Sequence, residues 1–202
     1  MGGEGASLVA RVMSVRAREH FATGASSPDD ETVLTWIDEA RDAIYHAANK
    51  RQLPPREFAT TLICVFSDGF ETTVIHIGDG CAVAKDVKSG EWHALTWPAH
   101  GEYASTTYFV TDDPQPRLSL QRRNAALSAV VVFTDGMERL ALDFAAARPH
   151  APFFEGVVAP ILKSTVQGRD AKLSRQLAVY LDSQAVNART DDDKTLLVAA
   201  LR

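Results

Sequence analysis

Residues 58–85 read FATTLICVFSDGFETTVIHIGDGCAVAK, and on this stretch the fold turns. Residues 58–67 are rich in β-branched and apolar side chains, Asp68-Gly69 is a hairpin dipeptide, and 72–77 (TTVIHI) resumes the run. Two strands joined by a tight turn are the simplest reading. Gly78-Asp79-Gly80 then introduces a third strand, 81–85, and Lys88-Ser89-Gly90 turns the chain into a fourth, 91–96. Residues 106–111 read as one more. Short consecutive strands with tight turns predict an antiparallel meander. Further on, 129–133 (AVVVF) is a buried strand ending at Thr134-Asp135-Gly136. The run 195–201 (TLLVAAL), after Asp191-Asp192-Asp193, reads as a closing strand.

Helices flank this β region. Residues 5–21 put Leu8, Val12 and Val15 on one helical face. After the break at 23–27, Ser27-Pro28-Asp29-Asp30 has the form of a helix start: Ser as N-cap, Pro at the first helical position and an acid three residues on. Val33, Ile37, Ala40, Ile44 and Ala47 follow at helical spacing, and Leu53-Pro54-Pro55 ends the helix. Residues 137–147, 153–164 and 171–182 also read as helical. With no internal repeat and no low-complexity linker, 1–202 is expected to form a single domain.

Composition narrows the function classes. Twenty-one Lys and Arg against 26 Asp and Glu leave a net charge of −5 with no basic cluster, which argues against a nucleic-acid partner. Neither a signal peptide nor a bilayer-length apolar stretch is visible, so no membrane association and a cytoplasmic location are expected. Cys64 and Cys81 sit singly in apolar runs and read as buried, reduced thiols. His76, Trp36, Trp92 and Trp97 read as packing residues, and Arg122-Arg123 as a solvated pair.

Three acidic sites share one pattern. Asp79 and Asp135 each follow an apolar strand and stand beside glycine; Asp192 immediately precedes one. Carboxylates at strand ends can converge on one sheet edge, offering oxygen ligands to hard cations such as Mg²⁺ or Mn²⁺. Glycine beside the acid lets the backbone turn sharply. Taken singly, Asp-Gly is a common turn and an acidic triplet a common solvated loop, so their order along the chain has to decide.

That order resembles the metal-dependent protein phosphatases of type 2C, in their bacterial subgroup. Thr60-Thr61-Leu62 is similar to the start of the family's central strand, and His76-Ile77-Gly78-Asp79-Gly80 to its Val-Gly-Asp-Ser-Arg segment, with Gly80-Cys81 in place of Ser-Arg. Val132-Phe133-Thr134-Asp135-Gly136-Met137-Glu138 resembles its Ser-Asp-Gly-Leu-x-Asp motif, and Asp192-Asp193-Lys194-Thr195 its closing Asp-Asn/Asp-x-Ser/Thr motif. The segment 101–109 (GEYASTTYF) is similar to one found in bacterial members.

The resemblance implies an α+β fold, an antiparallel β-sandwich flanked by helices. It also implies hydrolysis of phosphoserine or phosphothreonine by a water held between two metals about 4 Å apart. Asp135 and Asp192 would be ligands of the first metal, and Asp79 an accessory acid for a third, looser one. No protein nucleophile is implied, so no catalytic residue is expected beyond the metal ligands. The partners would be a phosphoprotein substrate or a regulatory protein, including a kinase whose action it opposes.

The sequence departs from the family pattern at its start. Gly5-Ala6 matches the opening of the family's first helix, but only Met1-Gly2-Gly3-Glu4 precedes it. The family's N-terminal strands, its bridging Asp-Gly and its phosphate-binding arginine have no counterpart there. Two close divalent ions repel strongly unless a shared carboxylate offsets the repulsion, so a single metal on Asp135 and Asp192 is expected instead of a pair. The alternative function is a catalytically impaired phosphatase-like domain that binds phosphoproteins or regulatory partners.

Overall fold

In chain order the elements are α1 (Gly2–Ala22), α2 (Asp30–Arg51), β1 (Leu62–Ser67), β2 (Glu71–Ile77), β3 (Cys81–Asp86), β4 (Trp92–Thr96), β5 (Ser119–Asn124), β6 (Leu127–Phe133), α3 (Glu138–Ala141), β7 (Leu142–Asp143), β8 (Arg148–Pro149), α4 (Ala151–Lys163), α5 (Ala171–Leu181), α6 (Gln184–Asn187) and β9 (Leu196–Ala200). The structure is a computed structural model and describes residues 1–99 and 107–201. These form two compact units: 1–80 with 98–124, and 81–97 with 125 onward.

The first unit is an antiparallel sheet, β1-β2-β5, covered on one face by α1 and α2. Alternation along β2 sends Ile75 and Ile77 to the helices, where they meet Val9, Met13, Val33, Ile37 and Ile44. In α2 the spacing predicts the buried Val33, Ile37, Ala40 and Ile44, Ala48 takes the place given to Ala47, and Trp36 is buried beside them. In α1 the buried stripe is Gly5, Val9, Met13 and Ala17, while Leu8 and Val12 flank it and Val15 is exposed. The face is fixed by Gly5, which lies so close to the backbone of Phe58 that any Cβ would overlap the Phe58 carbonyl. The N-cap of α2 is Asp29, two residues beyond the expected Ser27; its carboxylate accepts from Thr32 N at 2.9 Å.

Arg122 is exposed, as expected, but in β5 it also takes a structural role. The strand's residues, SLQRRN, lack a strand-like apolar pattern, yet they pair with β2 from Glu71↔Asn124 to His76↔Ser119. Arg122 secures the strand to α2, with Nη1 2.7 Å from Asp30 Oδ1 and Nη2 donating to the Pro28 carbonyl at 2.9 Å. The strand expected at 106–111 is not found in its described part. There the chain turns, with Val110 N donating to Thr60 O at 2.9 Å and Phe109 N to Asp112 Oδ2 at 2.8 Å.

The second unit is the antiparallel sheet β4-β3-β6-β9, whose core joins Val83, Val131, Phe133 and Leu196 to Phe154 and Val158 of α4. Phe154 stacks among Trp92, Phe133 and Phe153, with ring centroids at 5.0, 5.9 and 5.2 Å. Two expectations are corrected here. The strands do not run as one meander: β1–β2 and β3–β4 are hairpins, but β2 and β3 belong to different sheets. Residues 137–147 are not one helix either. α3 is a single turn, and β7 and β8 form a hairpin beyond it, closed by Asp143 Oδ1 accepting from Ala146 N at 3.1 Å and by Ala147 in the left-handed region at φ 48°. Helices on antiparallel sheets make the chain α+β, as expected.

Candidate metal centre

Strand β6 is apolar from Ala129 to Phe133, which pairs with Leu196 of β9. The residues just beyond this pair, one loop leaving β6 and one loop entering β9, therefore emerge side by side from the same end of the sheet. Thr134 N donates to Thr195 O at 3.2 Å, and Thr195 N donates to Thr134 Oγ1 at 3.0 Å. Asp135–Met137 forms one 3-10 turn, closed by Met137 N donating to Thr134 O at 2.9 Å.

Gly136 brings the two loops into contact. A Cβ there would overlap the Asp193 carbonyl oxygen and lie 3.3 Å from the Cβ of Asp192. Asp135 and Asp192, far apart in sequence, are thus neighbours in space, and both are exposed. Each carboxylate is oriented by the next amide: Asp135 Oδ1 accepts from Gly136 N at 2.9 Å and Asp192 Oδ1 from Asp193 N at 2.8 Å. Lys194 folds back, its Nζ donating to the Asp192 carbonyl at 3.1 Å.

Asp79 follows β2 in the first unit and is half-buried, between Gly78 and Gly80. Its charge acts on His76, whose pKa is held below the ordinary imidazole value mainly by burial, an effect that Asp79 and a hydrogen bond involving the Gly78 backbone partly oppose. Among the described residues, no three or more His, Cys, Asp or Glu side chains gather as a group able to hold an ion. Of the segment 101–109, residues 101–106 lie outside the described residues. Tyr108 is described, and its hydroxyl accepts from Arg117 Nη1 at 2.6 Å.

Two exposed carboxylates on adjoining loops fit one hard divalent cation that keeps several waters, the usual manner of Mg²⁺. The thiols offer no competing chemistry. Burial pushes Cys64 up to about 12 and raises Cys81 as well, and both are free of disulfides. Such thiols stay protonated and poorly nucleophilic near neutral pH.

Helices on antiparallel sheets, with acids presented at strand ends, form the architecture that the type 2C resemblance implies, and comparison with known proteins bears it out. The family model described as Protein phosphatase 2C matches residues 1–181. Serine/threonine-protein phosphatase 3 of Escherichia coli K12 is 35% identical over 199 residues, spanning 98% of this chain and 78% of that protein. The chain belongs to the protein phosphatase 2C family, whose members are serine/threonine phosphatases that use Mg²⁺ or Mn²⁺. The fold is shared with the crystal structure of the Mycobacterium tuberculosis phosphatase PstP/Ppp, with a TM-score of 0.65 at 15% identity over 100% of this chain and 85% of that one. A structure of the PstP catalytic domain in complex with 2 manganese ions matches with a TM-score of 0.58 at 19% identity, over 99% of this chain and 84% of that one.

The sequence singles out Asp135 and Asp192 as strand-end acids but gives no role to Thr134, whose hydroxyl accepts from Thr195 N. Its hydroxyl matters only through the register of β6 on β9, which no local pattern announces.

Proposed function

We propose that this chain binds one Mg²⁺ or Mn²⁺ through Asp135 and Asp192 and hydrolyses phosphoserine or phosphothreonine in proteins. The observation that supports the reading is the close approach of Gly136 to the Asp193 carbonyl and the Asp192 Cβ, which brings together the two loops that carry the acids. When bound, the ion would supply Lewis acidity, making a water a stronger acid and offsetting charge on the phosphoryl oxygens. The protein's own contribution is to hold two carboxylates in fixed orientation on an exposed edge that a phosphorylated side chain can reach. Asp79 is assigned the accessory role, and no side-chain nucleophile is needed. Residues 1–202 act as a single phosphatase-like domain in this proposal, supported by a family match over 1–181.

The physiological partner is a phosphoprotein substrate or a regulatory protein, such as a kinase that the enzyme opposes, in the cytoplasm, without nucleic acid or membrane. Among the described residues no helix is long and apolar enough to cross a bilayer. The test is release of phosphate from a phosphothreonine peptide by the full-length protein, with Mn²⁺ and with EDTA. Turnover should require the metal and fall by about a hundredfold or more in Asp135→Asn and Asp192→Asn, since even partners behind the ligands cost about 10–100-fold. Absence of metal-stimulated turnover, with phosphopeptide still bound, would favour the non-catalytic binding module instead.

A further inference from the structure

The β6–β9 ladder changes its bonding where the acids begin. In an antiparallel pair, residues of the hydrogen-bonded type exchange both backbone bonds. Thr134 and Thr195 stand next after Phe133↔Leu196, yet only one backbone bond survives between them, Thr134 N to Thr195 O at 3.2 Å. The return donor, Thr195 N, is taken by the Thr134 hydroxyl at 3.0 Å. The Thr134 carbonyl is thereby left to accept from Met137 N at 2.9 Å, closing the turn that carries Asp135. The same hydroxyl lies 3.5 Å from the Asp193 carbonyl oxygen, on the loop that carries Asp192.

We propose that Thr134 is the positioning residue of the metal centre, its hydroxyl standing in for a backbone acceptor so that the Asp135 turn and the Asp192 loop are held at one separation. The proposal rests on the reading of Asp135 and Asp192 as ligands. A side chain without the hydroxyl leaves the Thr195 amide to draw the Thr134 carbonyl back into the ladder, which opens the Asp135 turn. Backbone donors are strongly driven to find acceptors, and at this exposed position the Thr134 carbonyl competes with water for the Thr195 amide.

The experiment is direct titration of Mn²⁺ into the folded full-length protein, followed by the electron paramagnetic resonance of free Mn²⁺. The variants are Thr134→Val, Thr134→Ala and Thr134→Ser, with Asp135→Asn and Asp192→Asn as controls. Val and Ala should weaken Mn²⁺ binding by about 10–100-fold, the usual effect of losing a group that orients a ligand, and Ser should restore affinity to within about threefold. If Val does not fold, the Ala and Ser pair decides. A lower melting temperature with an unmoved Mn²⁺ dissociation constant in Val and Ala would show a purely structural role and overturn the proposal while leaving the ligands assigned. Unchanged Mn²⁺ binding in Asp135→Asn and Asp192→Asn would overturn the reading beneath it.

Discussion

Gly136 is where residue chemistry is most exacting. Its neighbour is backbone, the Asp193 carbonyl, and backbone in a loop held at both ends cannot rotate aside as a side chain can. Gly136→Ala should therefore destabilise the second unit by about 1–3 kcal/mol, the cost of forcing extra atoms into a filled space. It should also part the two acids, so urea unfolding and Mn²⁺ titration should show both losses together. His76 carries a different prediction. Its folded pKa lies below the ordinary 6.5, first because it is buried, so the unfolded chain binds the proton more readily. The resulting stability is fully present above about 6.5 and is lost as pH falls through the depressed folded value. Between pH 7.5 and 5, the urea midpoint should fall more steeply in the wild type than in His76→Gln.

At the scale of elements, what was legible in the sequence was what a one-dimensional period can carry. Val33, Ile37, Ala40 and Ile44 announced α2 because a helix buries one stripe, and AVVVF announced β6 because a strand buried on both faces is apolar throughout. SLQRRN announced nothing, because β5 is held by backbone pairing with β2 and by the grip of Arg122 on Asp30, neither of which leaves a local pattern. The helix expected over 137–147 stopped early because Asp143 and Ala147 form a turn whose backbone, not whose hydropathy, breaks it. The pair Asp135 and Asp192 was legible as strand-end acids, but their adjacency required the antiparallel register of β6 on β9. The exchange of sheets at Gly78 was missed for the same reason that a turn and a crossing look alike in sequence. Gly78 has φ +111° and faces the Thr61 side chain too closely to admit a Cβ. Gly78→Ala should cost about 1–3 kcal/mol through backbone strain alone. Circular dichroism melts should show it less stable than an alanine placed at Gly90, a positive-φ turn with open space around it.

Over the whole molecule, the two compact units differ in what a cation can do to them. Asp135 and Asp192 both belong to the second, which contains β6 and β9, whereas α1, α2 and β2 belong to the first. An ion that binds the folded site and not the unfolded chain stabilises by mass action, by about 2.7 kcal/mol when its concentration is a hundred times its dissociation constant. For a domain of this size, each kcal/mol moves the midpoint by about 2–4 °C, so saturating Mn²⁺ should raise the transition that melts β6 and β9 by about 5–10 °C. Calorimetry of the full-length protein with Mn²⁺ and with EDTA measures it. Should the units melt separately, the Mn²⁺ shift belongs to the one containing Asp135 and Asp192, and the transition of α1 and α2 stays in place. Asp135→Asn and Asp192→Asn should each abolish the shift with little change in the metal-free midpoint, because both side chains are exposed and surface substitutions usually alter stability by less than about 0.5 kcal/mol. A shift of full size surviving in both variants would place the cation elsewhere in the molecule and remove the ground for assigning it to these strand ends.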